Sequence, residues 1–578
     1  MITSAAAGGF QVVRAGPGTE ILEQAANDGI AQHSIDVVAG AELDLRLEVP
    51  LGAAVGYWHP AVGAGRTLPA DWAARTSTSL VSGAPVGCLH DAAGSSLFAW
   101  GLDELVDELE ISYGVSEENK TFALEFRARS VEHPRSLSLA TVSESSSLPS
   151  AVRRLARWSA DRLDSPALPV PAVARRPVYS TWYTFTQDLD QPAVESEAAL
   201  AARLGCGSVF VDDGWQRLAV GRGYGGCGDW VPDTAKFPDL ARFSATLHDQ
   251  DLGVVLWIAP LLLGPDADFF AELADFAPHE VTHLRCRVLD PRHREVRTHL
   301  AATCRRLVID YDLDGLKIDF LDQAMAYRGT PSAGDIDDVG EAMRALLALI
   351  RSELSDAGRG ATAVEFRQPY VSPAIAAYGQ ILRAGDCPAD AVVNRRSTID
   401  ARLLAVGQIV HGDMLMWGPT GGAEAVAQQL YGSWFAVPQI SMRLDQLSEL
   451  QSSALSGLLS LWADSASVVL DGSLTVRGSE RSYDLVRAER ADLARTVISR
   501  YAPVPVDVDE AGEVLILNAT ADQRVLVRLG AELAITGGSV RDPSVAVVAE
   551  VAAGTAGLAE LIVPAYGSLS LEVVRDPT

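Results

Sequence analysis

The sequence predicts a multidomain protein with a central (β/α)8 barrel, and three observations lead to this prediction. A chain of 578 residues is too long for a single hydrophobic core. From about residue 178 to 417, short strand-like runs alternate with amphipathic segments of helix length. Before and after this region the pattern is that of short antiparallel strands. We therefore predict an N-terminal β-sandwich at 1–170, a barrel at 176–480 and a small C-terminal all-β domain, a second sandwich, at 481–578.

Composition and charge exclude several classes of function. The formal charge of -28 would repel nucleic acid and anionic lipid, so we expect neither as a partner. The six cysteines are scattered without CxxC spacing, which fits a reducing cytoplasm better than a disulfide framework or a zinc site. Residues 1–13 lack the basic and apolar regions of a secretory signal, and no apolar run approaches the roughly 18 residues that span a bilayer. We expect a cytoplasmic protein without a membrane anchor, and the sequence leaves open whether it forms a homo-oligomer.

The N-terminal region alternates apolar and polar residues between Gly, Pro and Ser, as a β-sandwich does. Within it, residues 55–60 place Trp58 beside Gly and Pro, which indicates a loop. An aromatic residue on a loop often binds a ligand, although a Trp that folds back onto its own domain is more common. A proline-rich segment at 165–177 is interpreted as a semi-rigid linker.

The central region contains eight candidate strands, which matches a (β/α)8 barrel in count and length. They are at 178–183, 208–213, 253–260, 284–290, 315–320, 362–367, 381–386 and 414–418. A doubly wound open sheet is the alternative fold. It usually carries a glycine-rich phosphate turn after an early strand, and the sequence has neither GxGxxG nor GxxxxGK[ST].

The strand at 315–320 carries two charges in an otherwise apolar run. Lys317 and Asp319 are two positions apart, so their side chains point to the same side of the strand. A buried charge is costly unless it is paired or has a function. An internal ion pair at a strand end and a catalytic pair are both compatible with this pattern.

Other candidate strands also end in charged or aromatic residues, and the carboxyl ends of barrel strands are where active sites form. Carboxylates can accept hydrogen bonds from the hydroxyl groups of a sugar, and indole rings can pack against the apolar face of its ring. A magnesium site is the chemical alternative. The sequence has only ten His and no HExxH or GxSxG motif, so we predict neither a metal site nor a serine nucleophile. The residues at these ends are Asp212, Asp213, Trp215, Trp257, Asp290, Lys317, Asp319, Glu365, Arg367, Arg383 and Asp386.

An ordered series of short motifs resembles a known family. The run at 212–215 is DDGW, the run at 228–230 is GDW with KFP at 236–238, and the run at 317–319 is KID. The series resembles the family 36 glycoside hydrolases, the melibiase-type α-galactosidases. The run at 180–184, which includes Trp182, resembles the first barrel strand of the shorter members. The resemblance spans roughly residues 50 to 420 and implies the architecture predicted above.

The resemblance also implies roles for individual residues. The nucleophile of the family falls on Asp319, and its acid/base catalyst falls on Asp386. The paired acids that hold the sugar hydroxyls match Asp212 and Asp213. Further sugar contacts are expected from Trp257, Lys317, Arg383, Trp182 and Arg367, with Trp58 as the aromatic residue that the N-terminal domain brings to the site.

The sequence departs from the larger family members at two places. Their CxSGGxRxD run corresponds here to residues 365–370, and their SDNTD or SDD run corresponds to GDCPAD at 385–390, so Asp390 is an alternative to Asp386. The implied activity is retaining, exo-acting release of terminal α-galactose from an oligosaccharide without a cofactor. Action on α-glucosides or N-acetyl-α-galactosaminides, glycosyl transfer, and a sugar-binding protein without activity are the alternatives.

Overall fold

The computed structural model describes residues 9–27, 29–60, 66–130, 132–142, 146–163 and 166–575, without the side chains of 23–27. Residues 1–8 of the segment screened for a secretory signal, and Ser165 of the predicted linker, lie outside these ranges. The N-terminal region is a β-sandwich of a five-stranded and a six-stranded sheet, ordered β1-β4-β10-β9-β6 and β2-β3-β11-β8-β7-β5. Its strands are β1 Gln11–Ala15, β2 Thr19–Asn27, β3 Ile30–Val37, β4 Leu43–Pro50, β5 Gly56–Trp58, β6 Ala74–Thr78, β7 Val86–His90, β8 Ser96–Leu102, β9 Leu109–Ser116, β10 Thr121–Ala128 and β11 Arg135–Val142.

A connecting helix, α1 Leu148–Ala160, follows the sandwich. The Ser147 side chain caps its N-terminus by accepting a hydrogen bond from the backbone N–H of Ser150. Apolar residues recur along one face of α1, including Val152, Leu155 and Trp158, and they are buried.

The central region is an eight-stranded parallel barrel in the order β21-β20-β19-β18-β14-β13-β12-β22, with a single bridge from His411 to Val437 where the sheet nearly closes. Its elements are β12 Val178–Ser180, α2 Trp182–Phe185, α3 Gln191–Arg203, β13 Ser208–Val211, α4 Leu240–His248, β14 Gly253–Ile258, β15 Leu262–Leu263, α5 Phe270–Leu273, β16 His279–Val281, β17 Cys286–Val288, α6 Arg294–Asp310, β18 Gly315–Ile318, α7 Val339–Asp356, β19 Ala363–Arg367, β20 Ile381–Arg383, α8 Ala391–Leu404, β21 Ile409–His411, α9 Ala423–Gly432, β22 Gln439–Ile440 and α10 Glu449–Asp471. The predicted barrel is confirmed.

Two of the eight predicted strands are wrong as barrel strands. The run at 284–290 supplies β17, which pairs antiparallel with β15 and β16 outside the barrel. In the barrel, β14 therefore pairs directly with β18, the next predicted strand, and Val255 lies opposite Gly315. The run at 414–418 contributes only an isolated bridge from Leu415 to Ile440. The strands missed by the prediction are β21 and β22, which are three and two residues long and too short to give a periodic signal.

Beyond α10 the chain forms a second β-sandwich, with sheets of eight and three strands. Its strands are β23 Ser473–Arg477, β24 Leu485–Arg490, β25 Arg495–Arg500, β26 Val506–Val508, β27 Gly512–Asn518, β28 Arg524–Leu529, β29 Leu533–Arg541, β30 Val547–Val551, β31 Thr555–Ala556, β32 Leu558–Ile562 and β33 Ser568–Arg575. The three-part architecture of sandwich, barrel and all-β region agrees with the predicted fold class. The exact domain boundaries stay a prediction.

Among the residues that the structure describes, one helix, α10, is long and apolar enough by length and composition to cross a membrane, contrary to the sequence expectation that no run would qualify. In the structure α10 packs against α9 and the first C-terminal strands, with Leu455, Leu459 and Trp462 buried. A core helix passes the same test of length and composition, so this finding is weak evidence for a membrane span.

Candidate active site

The carboxyl ends of the barrel strands gather a set of buried charges. Lys317 projects from β18, and its Nζ donates to Oδ2 of Asp212 at 2.5 Å. Both side chains are nearly inaccessible, with 5% and 4% exposure. The backbone N–H of Asp212 donates to Thr181 Oγ1, which joins the first and second barrel strands at this end. Because a buried ion pair needs close geometry to offset desolvation, this pair has little freedom to move.

Asp319 follows directly after β18 and is held by three donors. Its Oδ2 accepts from Trp257 Nε1 at 3.1 Å, and its Oδ1 accepts from the Phe320 backbone N–H at 2.7 Å and from Arg367 Nε at 2.5 Å. Burial alone would raise the pKa of Asp319, but the charges of Arg367 and Lys317 outweigh it and hold the pKa below its ordinary value. The carboxylate is therefore ionised at neutral pH, as a nucleophile must be.

Arg383 stands at the centre of a second network. Its Nη2 donates to Asp386 Oδ1 at 2.8 Å, its Nη1 donates to Asp413 Oδ1 at 2.5 Å, and its Nε lies 3.3 Å from Glu365 Oε1. Asp413 also accepts from Tyr183 Oη and from the Cys387 backbone N–H. Arg383, Glu365 and Asp413 are fully buried, whereas half of the Asp386 side chain is exposed.

The two aspartates that share Arg383 have opposite pKa shifts. Burial would raise the pKa of Asp386, but Arg383, Lys317 and Arg367 lower it to about 2. Burial raises the pKa of Asp413 to about 6 in spite of Arg383, and the negative charge of Asp386 contributes to the rise. Both carboxylates are therefore largely ionised at neutral pH, and Asp413 is the one that gains a proton first as the pH falls.

Asp213 lies beside Asp212 and has a different environment. Its Oδ2 accepts from Gln187 Nε2 at 2.7 Å and its Oδ1 from Gln216 Nε2 at 2.6 Å. Burial raises the pKa of Asp213 to about 6, because those hydrogen bonds only partly offset desolvation and the neighbouring charges of Asp212 and Asp319. Asp213 and Asp413 thus both gain a proton at a higher pH than an ordinary aspartate does.

Aromatic side chains surround the Asp319 carboxylate. Trp257 lies between Tyr224, whose ring is 6.2 Å away and nearly parallel, and Trp230, whose ring is 5.8 Å away and edge-on. Tyr224 also packs edge-on against Phe320 at 5.4 Å. Trp182 lies in α2, is partly exposed, and has the Arg222 guanidinium 5.6 Å from its ring centroid. Trp257 and Trp230 are themselves buried, whereas Trp182 and Phe320 are partly exposed and offer faces on which the apolar side of a sugar can pack.

The structure corrects the prediction for Trp58. Its side chain is fully buried, and its Nε1 donates to Asp400 Oδ1 at 2.8 Å and to Tyr483 Oη at 3.1 Å. Arg66 pairs with the same Asp400 carboxylate. Trp58 therefore joins the N-terminal sandwich to α8 of the barrel and to the C-terminal region, and it has no free face for a sugar.

Asp290 is also outside the set at the strand ends. The segment before it is β17, which is not a barrel strand, and the Asp290 carboxylate is bound by Arg292 Nε and Nη2. Arg292 in turn donates to the carbonyl of Thr330. This is a buried structural ion pair.

Asp390, the alternative to Asp386, is the N-cap of α8. Its Oδ1 accepts from the backbone N–H groups of Val392 and Val393 at 3.1 and 2.9 Å. A carboxylate used in this way satisfies the free N–H groups of a helix end. The geometry thus favours Asp386, which binds Arg383, as the acid next to Asp319.

Sequence reasoning missed several residues of this site, including Gln216, Tyr224, Gln187 and Asp413. Tyr224 lies in the loop after β13, Gln187 follows α2, and Asp413 follows the unrecognised strand β21. Only Asp413 left a usable signal, because HGDMLMW places a lone acid in an apolar run. Among the described residues, no group of three or more His, Cys, Asp or Glu could hold a metal ion.

Comparison with known proteins supports the resemblance read from the sequence. Residues 171–352 match the Melibiase family model. The chain is 31% identical over 148 residues to Alpha-galactosidase 2 of Pediococcus pentosaceus, covering 25% of this chain and 20% of that protein. It is 26% identical over 148 residues to Alpha-galactosidase Mel36A of Lactobacillus acidophilus, covering 25% and 19%. The aligned part thus spans about a fifth of these curated relatives.

Solved structures confirm the fold over nearly the whole chain. The GH36 α-galactosidase AgaB from Geobacillus stearothermophilus has a TM-score of 0.66 at 13% identity, covering 99% of this chain and 82% of that one. TtGalA, an α-galactosidase from Thermus thermophilus, has a TM-score of 0.55 at 17% identity, covering 81% and 98%. The family 36 architecture expected from the motifs is therefore present here.

Proposed function

We propose that this protein is a retaining, exo-acting α-galactosidase that releases terminal galactose from oligosaccharides. The observation that carries the proposal is the environment of Asp319: an ionised carboxylate, oriented by Trp257 and Arg367, at the carboxyl end of a barrel strand. Relatives named α-galactosidase match part of this chain, the Melibiase family model matches residues 171–352, and a GH36 α-galactosidase of the same fold was solved with raffinose. These findings support galactose as the released sugar.

The proposed mechanism has two steps. In the first, an Asp319 carboxylate oxygen forms a bond to the anomeric carbon, the glycosidic C–O bond breaks, and protonated Asp386 gives its proton to the leaving oxygen. In the second, Asp386 as a carboxylate takes a proton from water, whose oxygen displaces Asp319 and frees the sugar. Asp386 ends protonated, ready for the next turnover.

Asp386 must gain a proton before the first step. Its pKa of about 2 belongs to the site without substrate, where half of the side chain is in contact with solvent. A sugar bound beside it removes that solvent, and burial is already the largest influence raising this pKa. We propose that substrate binding itself brings Asp386 into its acid form.

The experiment is a panel of nitrophenyl α- and β-glycosides of galactose, glucose and N-acetylgalactosamine, followed by raffinose. Hydrolysis confined to the α-galactoside, with galactose released from raffinose, is the expected result. If the enzyme prefers the α-glucoside or the N-acetyl-α-galactosaminide, that sugar and not galactose is its substrate. If glycosyl transfer gives the main product, the enzyme is a transglycosylase and not a hydrolase. Binding without turnover of any glycoside would identify a sugar-binding protein instead.

We also propose a cytoplasmic location. The six cysteines are all free and buried, which supports a reducing compartment. Fractionation of the native host, with activity in the soluble cell extract and none in the medium, is the expected result.

A further inference from the structure

A cavity of about 630 Å³ lies where three parts of the molecule meet, away from the barrel strands. Gln32 of β3, Ser150 and Trp158 of α1, and Thr475 of β23 contribute to its lining. Cavities of roughly 300–1,000 Å³ are typical of small-molecule sites. The space is therefore large enough for a metabolite.

Arginines dominate the charge of this cavity. Arg153 and Arg157 both line it, one helical turn apart on α1. Two like charges at this spacing repel each other and destabilise a helix. Burial lowers the pKa of Arg153, and the positive charge of Arg157 lowers it further. Arg402 of α8 does not line the cavity, but burial and the nearby charge of Arg153 together lower its pKa to about 10.

Arginines outnumber acids in the lining of this cavity, which includes Arg153, Arg154 and Arg157 but one carboxylate, Asp161. Every influence on the pKa of Arg153 lowers it, so no carboxylate in the described part of the chain compensates this guanidinium. The chain as a whole carries a charge of -28, with 75 acidic residues against 47 basic ones. A cavity lined by three arginines and one acid is therefore unusual for this protein, and the excess of cations creates a local positive potential.

A second feature of the cavity also points to a ligand. Trp158 is 9% exposed and lines the cavity, and its indole Nε1 has no hydrogen-bond partner in the described structure. Buried donors are normally satisfied, so an unpaired one at a cavity wall needs an acceptor. Arg162 stacks on the Trp158 ring at 4.6 Å and adds a cation at the edge of the same site.

We infer that this cavity binds a small anion of the phosphate class, contacted by Arg153 and Arg157. Guanidinium groups recognise phosphate oxygens through paired charge-assisted hydrogen bonds. The N-terminus of α1, which enters the cavity at Ser150, adds a favourable dipole. Ile30 and Leu474 line the same space and can pack on the organic part of a phosphate monoester. The charge of -28 excludes a polyanion such as nucleic acid as the natural occupant.

Titration calorimetry and thermal unfolding of the full chain test this inference. Inorganic phosphate and glycerol phosphate are titrated at constant ionic strength, with chloride as the reference salt. Because ligand binding to the folded state stabilises it, both phosphates should raise Tm relative to chloride. A monoester that binds more tightly than inorganic phosphate identifies an organic phosphate as the ligand, and equal affinities identify free phosphate.

Two variants and one control localise the effect. R157Q changes an exposed residue and R153Q a half-buried one, and each should weaken binding about tenfold or more, the effect of losing a charge-assisted contact. R203Q removes the same charge from an exposed position in the last turn of α3 and should bind as the wild type does. Equal stabilisation by chloride and phosphate, or unchanged affinity in R157Q, would overturn the inference. Hydrolysis of α-galactosides plays no part in these measurements, so the site is tested independently of the proposed function.

Discussion

The substitution Asp413→Asn tests how Arg383 sets the protonation of Asp386. Asp413 and Asp386 bind the two Nη atoms of the same guanidinium, at 2.5 and 2.8 Å. Removing the charge of Asp413 removes its repulsion of the Asp386 carboxylate. Arg383 is then neutralised by fewer negative charges, so it stabilises ionised Asp386 more strongly. At a separation of about 7 Å and an effective dielectric constant of about 20, one unit charge contributes about 2 kcal/mol, or between one and two pKa units. The pKa of Asp386 should fall by up to that amount, less if Asp413 is partly protonated.

The assay is the pH dependence of kcat for raffinose and for nitrophenyl α-galactoside. The alkaline limb of the profile, which reports the acid catalyst in the enzyme–substrate complex, should move to lower pH in Asp413→Asn. Raffinose, with the poorer leaving group, should lose more rate at neutral pH than the activated substrate. Tyr183→Phe removes only one hydrogen bond to Asp413 and should shift the limb in the same direction by less. A folded Asp413→Asn variant with an unmoved or raised alkaline limb would refute this account of Arg383.

Three further predictions concern the catalytic pair and the contact between domains. Asp386→Ala should lose far more activity on raffinose than on nitrophenyl α-galactoside and should regain turnover with azide, whereas Asp390→Ala should cost about 1 kcal/mol of stability as a lost N-cap. Azide rescue of the Asp390 variant alone would reverse this assignment. Proton NMR of early product should show the α-anomer of galactose. The reason is that the carboxyl groups of Asp319 and Asp386 are expected to lie about 5 Å apart, as in retaining enzymes. A first-formed β-anomer would contradict the retaining mechanism. Asp400→Ala should lower the free energy of unfolding in urea by about 3 kcal/mol or more, since it leaves the buried Arg66 without its carboxylate and removes one of the two acceptors of the Trp58 indole. A loss below about 1 kcal/mol would exclude that role.

The part of the site that could be predicted from the sequence is the part that lies on apolar strands. Lys317, Asp319 and Arg383 interrupt hydrophobic runs, and a charge in a buried strand is visible without knowing its partner. The order of the family 36 motifs along the chain then indicated that these strands belong to one barrel. Six of the eight predicted strands lie in the barrel because their apolar runs are long enough to show a pattern.

The errors come from features that depend on distant parts of the chain. The apolar run before Asp290 is a strand, but its partners β15 and β16 make it antiparallel and keep it out of the barrel. The local sequence around Trp58 indicates a ligand-binding aromatic residue. In the structure its indole N–H donates to Asp400, which is 342 residues away in the chain. Neither partner can be inferred from local pattern, because burial and pairing are tertiary properties.

The departures of this chain from the larger family members fall around Arg383. Residues 365–370 supply Glu365 and Arg367, and residues 385–390 supply Asp386 and the Cys387 N–H that binds Asp413. Lys317 and Asp212, which lie in the shared motifs, bind each other, and Trp257 binds Asp319, the residue that matches the family's nucleophile. The differences in sequence are thus concentrated on groups that set the pKa of the acid/base residue. Any difference in activity from those relatives should therefore show mainly in how the rate depends on the leaving group and on pH. The rate at which activated substrates form the glycosyl-enzyme bond should differ less.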